Sequence, residues 1–382
     1  MRGKGGDTEL VTNDVVLVTG FPALLARTVC SEILRSDAQA RVVAVVRSKS
    51  LAEARSFVSG LPPDAGARVQ LLEGDAAAID LGLSGEEFKR LTREVTRIHH
   101  CAQVTYLGVD RQTAERVNVG ATREAIELGV SCTKLECLVL HSTVHVSGDR
   151  RGTVLEEDLK AGQGFRSVVE ETKARAEKLA RDAMHRVPIA VVRPSTIVGD
   201  SRTGEVDRLD GPYLLILLIV TSPPEIALPL LPGRGDSLLN LVPVDWVARA
   251  AVAIGRDARG PGRTFHLVDP HPLPVRRVFE LVARAAGRRV PRGSIPTHVA
   301  RAILNAPGMD RVAKTPRALL EALTMSVTYD ARGADELLGA LGIEGCPSLE
   351  AYVDKLVASA RDRVRERRGS GGSEAESERS RA

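Results

Sequence analysis

The chain has 382 residues, 43% of them hydrophobic and 27% charged, with 53 Lys and Arg against 49 Asp and Glu and a formal net charge of +4. That length accommodates one large α/β domain with an appended lobe, and the apolar-to-charged balance is that of an ordinary globular protein. Aromatic residues make up 3% of the chain, too few for a base-stacking platform. Much of the basic excess falls in the C-terminal tail, so no nucleic-acid partner is expected.

Five cysteines, Cys30, Cys101, Cys132, Cys137 and Cys346, form no CxxC and are odd in number. A disulfide or zinc framework is therefore not expected, and a reduced, cytoplasmic setting is. The N-terminal stretch MRGKGGDTELVTND lacks the apolar core of a signal peptide. The longest apolar run, Tyr213–Val220, falls far below the roughly 20 residues that span a bilayer. No transmembrane segment is expected; the run is either a buried helix or the lining of an acyl channel.

In chain order, residues 1–13 read as disordered. Short apolar runs follow at Val15–Val18, Val42–Val46, Val69–Leu72, Ile98–Ala102, Leu138–Leu140 and Ile189–Val192. Between them lie segments with helical spacing, such as Leu24–Leu34 and Val117–Leu128. Strand–helix alternation of this kind predicts βαβ units and a Rossmann-type, doubly wound parallel sheet. The rhythm breaks after Gly199. Asp200–Asp236 reads as loops with a short helix, Pro243–Ile254 as a helix, Thr264–Val268 as a strand and Val275–Ala286 as a helix. The expected division is 1–13 disordered, 14–200 the nucleotide-binding domain, 201–366 a smaller, mostly helical substrate lobe interleaved with it, and 367–382 a disordered tail.

The first strand runs into Val18-Thr19-Gly20-Phe21-Pro22-Ala23-Leu24-Leu25-Ala26 and then a helix. A strand, tight turn and helix N-terminus present free N–H groups and a positive dipole end to a pyrophosphate. Gly20 is kept, while Ala23 and Ala26 occupy the other two glycine-like positions. At the end of the second strand, where an acidic residue would hold the ribose of NAD, stand Arg47-Ser48-Lys49-Ser50. Arginine there pairs with a 2′-phosphate, so NADP(H) is expected over NAD(H). Asp75, after the third strand, could reach the adenine amine. The fourth strand ends in Cys101-Ala102-Gln103, small residues that would let a cofactor pass.

Taken in order, these pieces resemble the extended short-chain dehydrogenase/reductases, in the branch of fatty acyl-CoA reductases, male-sterility-type proteins and thioester reductase domains. The stretches that carry the resemblance are Thr19–Ala26, Gly74–Ser84, Val117–Thr122, His141–Gly148, Gly164–Glu177, Arg193–Glu205 and Val242–Val247. The resemblance implies a cofactor site built from Thr19, Gly20, Phe21, Pro22, Leu24, Leu25, Arg47, Lys49, Asp75, Ala76, Cys101, Ala102, Lys173, Pro194 and Thr196, and no metal. It also implies that a Ser or Thr binds the substrate carbonyl, a Tyr gives the proton, and a Lys four residues later tunes that Tyr and holds the nicotinamide ribose. Flanking motifs put the first role on Thr143 and the last on Lys173. The Tyr position falls on Val169, and no Tyr-x-x-x-Lys occurs in the chain.

Hydride delivery to a carbonyl leaves an alkoxide that must be protonated or held, and an isopropyl group does neither. Loss of a placed general acid costs ~10²–10⁴ in rate. His145, two residues past Thr143, is a candidate acid if the strand end is extended and both side chains share a face. Three readings follow: a reductase of an acyl thioester, aldehyde or ketone with an atypical or impaired proton donor; an inactive NADP(H)-binding sensor or scaffold; and a nucleotide-sugar epimerase or dehydratase. The expected partner is a small-molecule substrate, with an acyl compound among the candidates, and a homo-oligomer is left open.

Overall fold

The computed structural model describes residues 14–106, 108–207, 213–221, 231–232, 235–289, 294–295 and 327–379, excepting the side chains of 214, 215, 218, 231–232, 294–295 and 367–379. The N-terminal segment 1–13, expected to be disordered, lies outside the described residues, as do parts of the 201–366 lobe.

The strands are β1 (Val15–Phe21), β2 (Arg41–Val46), β3 (Val69–Glu73), β4 (Arg97–His100), β5 (Cys137–His141), β6 (Gly152–Val154), β7 (Ile189–Pro194), β8 (Thr196–Val198), β9 (Leu231–Pro232), β10 (Leu238–Leu239), β11 (Leu241–Pro243) and β12 (Thr264–Leu267). Seven of them form one parallel sheet in the order β12-β7-β5-β4-β1-β2-β3. The helices that cover it include α1 (Leu24–Ser36), α2 (Leu51–Ser59), α3 (Pro63–Gly66), α4 (Gly85–Glu94), α5 (Arg111–Ala114), α6 (Ala121–Ser131) and α7 (Val168–Ala183). They are followed by α8 (Tyr213–Thr221), α9 (Val244–Arg256) and α10 (Val275–Ala285).

Period-two alternation sorts the strand residues between two cores. Val16, Val18, Val42, Ala44, Val139, Ala190 and Val192 face α1 and α9. Val15, Leu17, Val43, Val45, Leu138, Leu140, Ile189 and Val191 face α4, α6 and α7. Both faces are covered, which is why the strands read as unbroken apolar runs. At Gly255 of α9 an added Cβ would lie 2.7 Å from Val139 Cγ2, so helix and sheet approach closely there.

A third core forms the lobe. Tyr213, Ile216 and Ile219 pack with Val278, Phe279 and Val282 of α10 and with Leu356, Val357 and Ala360 of the last helix. The apolar run at 213–220 is thus helical, with Tyr213, Ile216 and Ile219 buried. β12 and α9 both come after residue 200, yet β12 joins the seven-stranded sheet and α9 packs in its first core. The last helix, Val353–Arg379, continues through most of the tail whose composition predicts disorder. Extending an anchored helix adds a hydrogen bond per residue with no new nucleation step.

Candidate active site

The sheet order reverses between β1 and β4, and ligands of open doubly wound sheets lie beyond the strand ends at such a point. Gly20 forms the crevice floor. Its φ is +80°, and a Cβ there would sit 2.7 Å from Ala102 N, so glycine alone lets the tips of β1 and β4 come this close. Thr19 is fully buried; its hydroxyl pairs with His100 Nδ1 at 2.9 Å and accepts from Ala102 N–H at 3.2 Å. Its side chain therefore holds the end of β4 instead of facing the crevice. Phe21, Pro22, Leu24 and Leu25 are buried too, so what they offer a ligand is main chain.

No side chain of α1 itself caps that helix. Its Leu24 N–H donates instead to the carboxylate of Asp207, which comes from the lobe. Arg27, one turn on, pairs with the same carboxylate at 3.2 Å and with Glu205 at 2.9 Å. Arg363 of the last helix donates to the Asp207 carbonyl at 2.7 Å. An acid thus stands where a helix N-terminus favours an anion.

Arg47 and Lys49 are exposed around the short 3-10 turn Ser48–Ser50, and Ser48 donates to Glu73 beside them. Asp75 accepts from Ala77 N–H at 3.0 Å and from Arg116 at 3.0 Å. Burial alone would raise its carboxyl, but these donors and the nearby Arg47 bring it below the usual range. The loop after Asp75 and the buried Ala76 doubles back through Asp80 and Leu81, both left-handed (φ 52° and 58°), and seats Leu81 in the core. Such backbone persists only where packing over-determines it.

At the other end of the crevice, β5 stops at His141, and Thr143, still extended, caps a 3-10 turn over Val144–Ser147. This corrects the expectation that Thr143 and His145 share one face of a strand. His145 lies within the turn, its N–H on the Thr143 hydroxyl at 3.3 Å and its Nε2 on Thr196 Oγ1 at 3.2 Å. Burial, helped by Arg166, holds the imidazole at about 4, neutral at pH 7. The Thr143 hydroxyl accepts one bond and donates none among the described residues, which leaves its proton available.

Lys173 is buried on α7, 5% exposed, with Nζ 2.6 Å from the His141 carbonyl and 2.6 Å from Gln103 Oε1. Desolvation brings its ammonium down to about 8 despite the favourable field of Glu177. Val169 lies one helical turn earlier on the same face, partly buried. Below Lys173, Glu177 and Arg193 form a fully buried ion pair at 2.7 Å. Ser142 donates to Glu177 at 2.6 Å, while Arg193 also reaches His266 Nε2 at 3.1 Å and the Asp158 carbonyl at 2.7 Å. The pair thereby ties α7 to β5, β7 and β12.

Four contributors have no bonding role that the sequence pattern points to. Asn118 sits in a π-helical stretch, Glu115–Gly120, that precedes α6. It bonds both Val104 main-chain groups (2.9 and 3.2 Å) and Thr172 Oγ1 (3.0 Å), tying the loop after β4 to α7. Widened turns of this type concentrate at functional sites, and the Val117–Thr122 motif was its only signal. Gln103, Glu177 and Arg193 fall at the ends of recognised stretches and Asp207 in none, but no local pattern pairs them with their partners, because each acts through long-range contact. Among the described residues there is no metal-ligating cluster and no helix long and apolar enough to cross a membrane.

A family model described as male sterility protein matches residues 18–251, more than half of the chain. Glycine betaine reductase ATRR of Emericella nidulans is 29% identical over 223 residues, 56% of this chain and 17% of that protein. Fatty acyl-CoA reductase 1 of Xenopus laevis is 24% identical over 281 residues, 62% of this chain and 53% of its own length. The chain therefore spans only part of these curated relatives. The crystal structure of the terminal R domain from the myxalamid PKS-NRPS biosynthetic pathway aligns with a TM-score of 0.75 at 25% identity, covering 92% of this chain and 91% of that one.

Proposed function

The chain belongs to the male sterility protein family of NAD-binding domains, and on that premise we propose that it is an NADP(H)-dependent reductase of an acyl thioester, aldehyde or ketone with an atypical proton donor. The observation that carries this reading is the buried Lys173 ammonium, bound to the His141 carbonyl two residues before Thr143, at the C-terminal edge of the sheet. Domain limits of 14–200 and 201–366 go with it, the second as substrate lobe.

The residues present suit a phosphorylated dinucleotide. Gly20 leaves the close approach that a Cβ would fill, the α1 N-terminus receives an anion already, and the exposed Arg47 and Lys49 suit a 2′-phosphate. Cys101 and Ala102 would border it, and Pro194 and Thr196 would flank its ring end. When bound, the cofactor supplies hydride. Asp207 must leave the Leu24 N–H for a pyrophosphate oxygen to take that donor. Thr143 O–H then orients the substrate carbonyl, and the ammonium of Lys173, near 8, is acidic enough to protonate the alkoxide at neutral pH. His145, neutral in its turn, is a weaker candidate for that role.

Val169 at the tyrosine position favours a second reading, a catalytically silent NADP(H) binder. Titration with NADPH and NADH, followed by assay of wild type and Val169→Tyr on long-chain aldehydes and acyl-CoAs, separates the two. Wild-type turnover supports the reductase. A silent wild type revived by orders of magnitude in Val169→Tyr supports the binder. No affinity for either nucleotide removes both.

A further inference from the structure

The amide of Gln103 has one permissible orientation. An ammonium offers only donors, so the 2.6 Å contact with Lys173 Nζ must be made by the amide oxygen. The NH2 group is then on the branch turned away from the lysine, and it has no hydrogen-bond partner among the described residues. Gln103 is only partly buried, so these two donors are reachable. Registry supplies the rest. His100 pairs with Leu140 across β4 and β5, and Gln103 and Thr143 each lie three residues beyond that pair. Lys173 joins the two tips, bonding the His141 carbonyl on one side and Gln103 on the other.

We propose that Gln103 is a hydrogen-bond donor to the substrate carbonyl oxygen, working with Thr143 beside the space that Val169 leaves without a phenol. The inference rests on the reductase reading and deepens it. As hydride forms the new C–H bond, the carbonyl π pair moves to oxygen; the Gln103 N–H and Thr143 O–H hold that charge and transfer nothing. The proton comes from Lys173, which solvent then recharges, while the reduced nicotinamide is oxidised. Two neutral donors and one cationic donor replace one phenol. Preorganised donors of this kind are worth ~10²–10³ in rate each.

The test compares wild type, Gln103→Leu and Gln103→Glu. Three readouts are needed: kcat/KM for a long-chain aldehyde, the Kd for NADPH, and the Kd for octanamide, an unreactive carbonyl. Glutamate keeps an oxygen on Lys173 and loses the donor; because its carboxylate also raises the Lys173 pKa, octanamide binding, which involves no proton transfer, decides the matter even if the leucine variant folds poorly. The expected result is a ~10²-fold fall in kcat/KM for both variants with unchanged NADPH affinity, and octanamide binding weakened by roughly 3- to 10-fold. Full activity in Gln103→Glu would overturn the donor role and leave the reductase reading intact. A wild type that binds NADPH, reduces nothing and still needs Gln103 to bind octanamide would do the reverse.

Discussion

Lys173 Nζ lies 2.6 Å from the carbonyl oxygen of His141, the last residue of β5. The ammonium is thereby fixed at the strand tip inside the core, and the depth that fixes it also brings its pKa to about 8. In a reductase that uses this group as acid, kcat/KM falls as pH rises through about 8. Stability takes the opposite sign. Between about 8 and the ordinary lysine value the unfolded chain holds a proton that the native state lacks, so this group adds stability as pH rises there. A pH–rate profile run beside urea midpoints checks both. A rate flat to pH 9.5 excludes Lys173 as proton donor.

On the proposed reading, Asp207 and a cofactor phosphate would compete for the Leu24 N–H. Asp207→Ala should therefore tighten NADPH binding by roughly 3- to 30-fold, the equivalent of ~0.7–2 kcal/mol for a charge at a helix N-terminus. Calorimetry on wild type and variant measures it. An unchanged Kd means that the carboxylate leaves the helix at no cost.

Arg47 projects from the end of β2 where a 2′-phosphate would lie. Arg47→Ala should raise the Kd for NADPH by ~10-fold or more, the worth of a charge-assisted hydrogen bond, and leave that for NADH nearly unchanged. Equal losses for both nucleotides would point to a fold defect and away from phosphate recognition.

His99, His100 and His141 are buried under the strand tips. Desolvation, aided by nearby cations, brings His99 and His100 to about 3 and His141 well below its usual value. The unfolded chain takes up their protons near pH 6.5 and the native chain does not, so stability present above 6.5 is lost as pH falls toward 3. Urea midpoints between pH 7 and 4.5 should drop steeply. His99→Leu should shallow that slope by about one proton, and an unaltered slope would mean that His99 does not contribute.

The strands and their order of appearance were legible because the pattern is local. Six apolar runs matched β1 to β5 and β7 within a residue or three at each end. The exceptions have physical causes. β4 stops at His100 because Cys101 and Ala102 turn against Gly20. The helix expected from Val117 begins earlier, at Arg111, and passes through a π turn at Glu115–Gly120, where Asn118 bonds Val104. Motif order singled out Thr143 and Lys173, and packing of α7 brings the Lys173 ammonium to the end of β5, which Thr143 follows.

What the chain determined by itself was the βαβ rhythm, the glycine that lets β1 meet β4, the basic end of β2 and the want of a tyrosine four residues before Lys173. Periodicity and spacing encode such things, since each depends on near neighbours in sequence. Tertiary structure decided the rest: that a carboxylate from the lobe caps α1, that Gln103 turns its oxygen to Lys173, and that β12 closes a sheet begun more than two hundred residues earlier. Those contacts join distant segments whose meeting is set by packing and desolvation, and no local pattern records them.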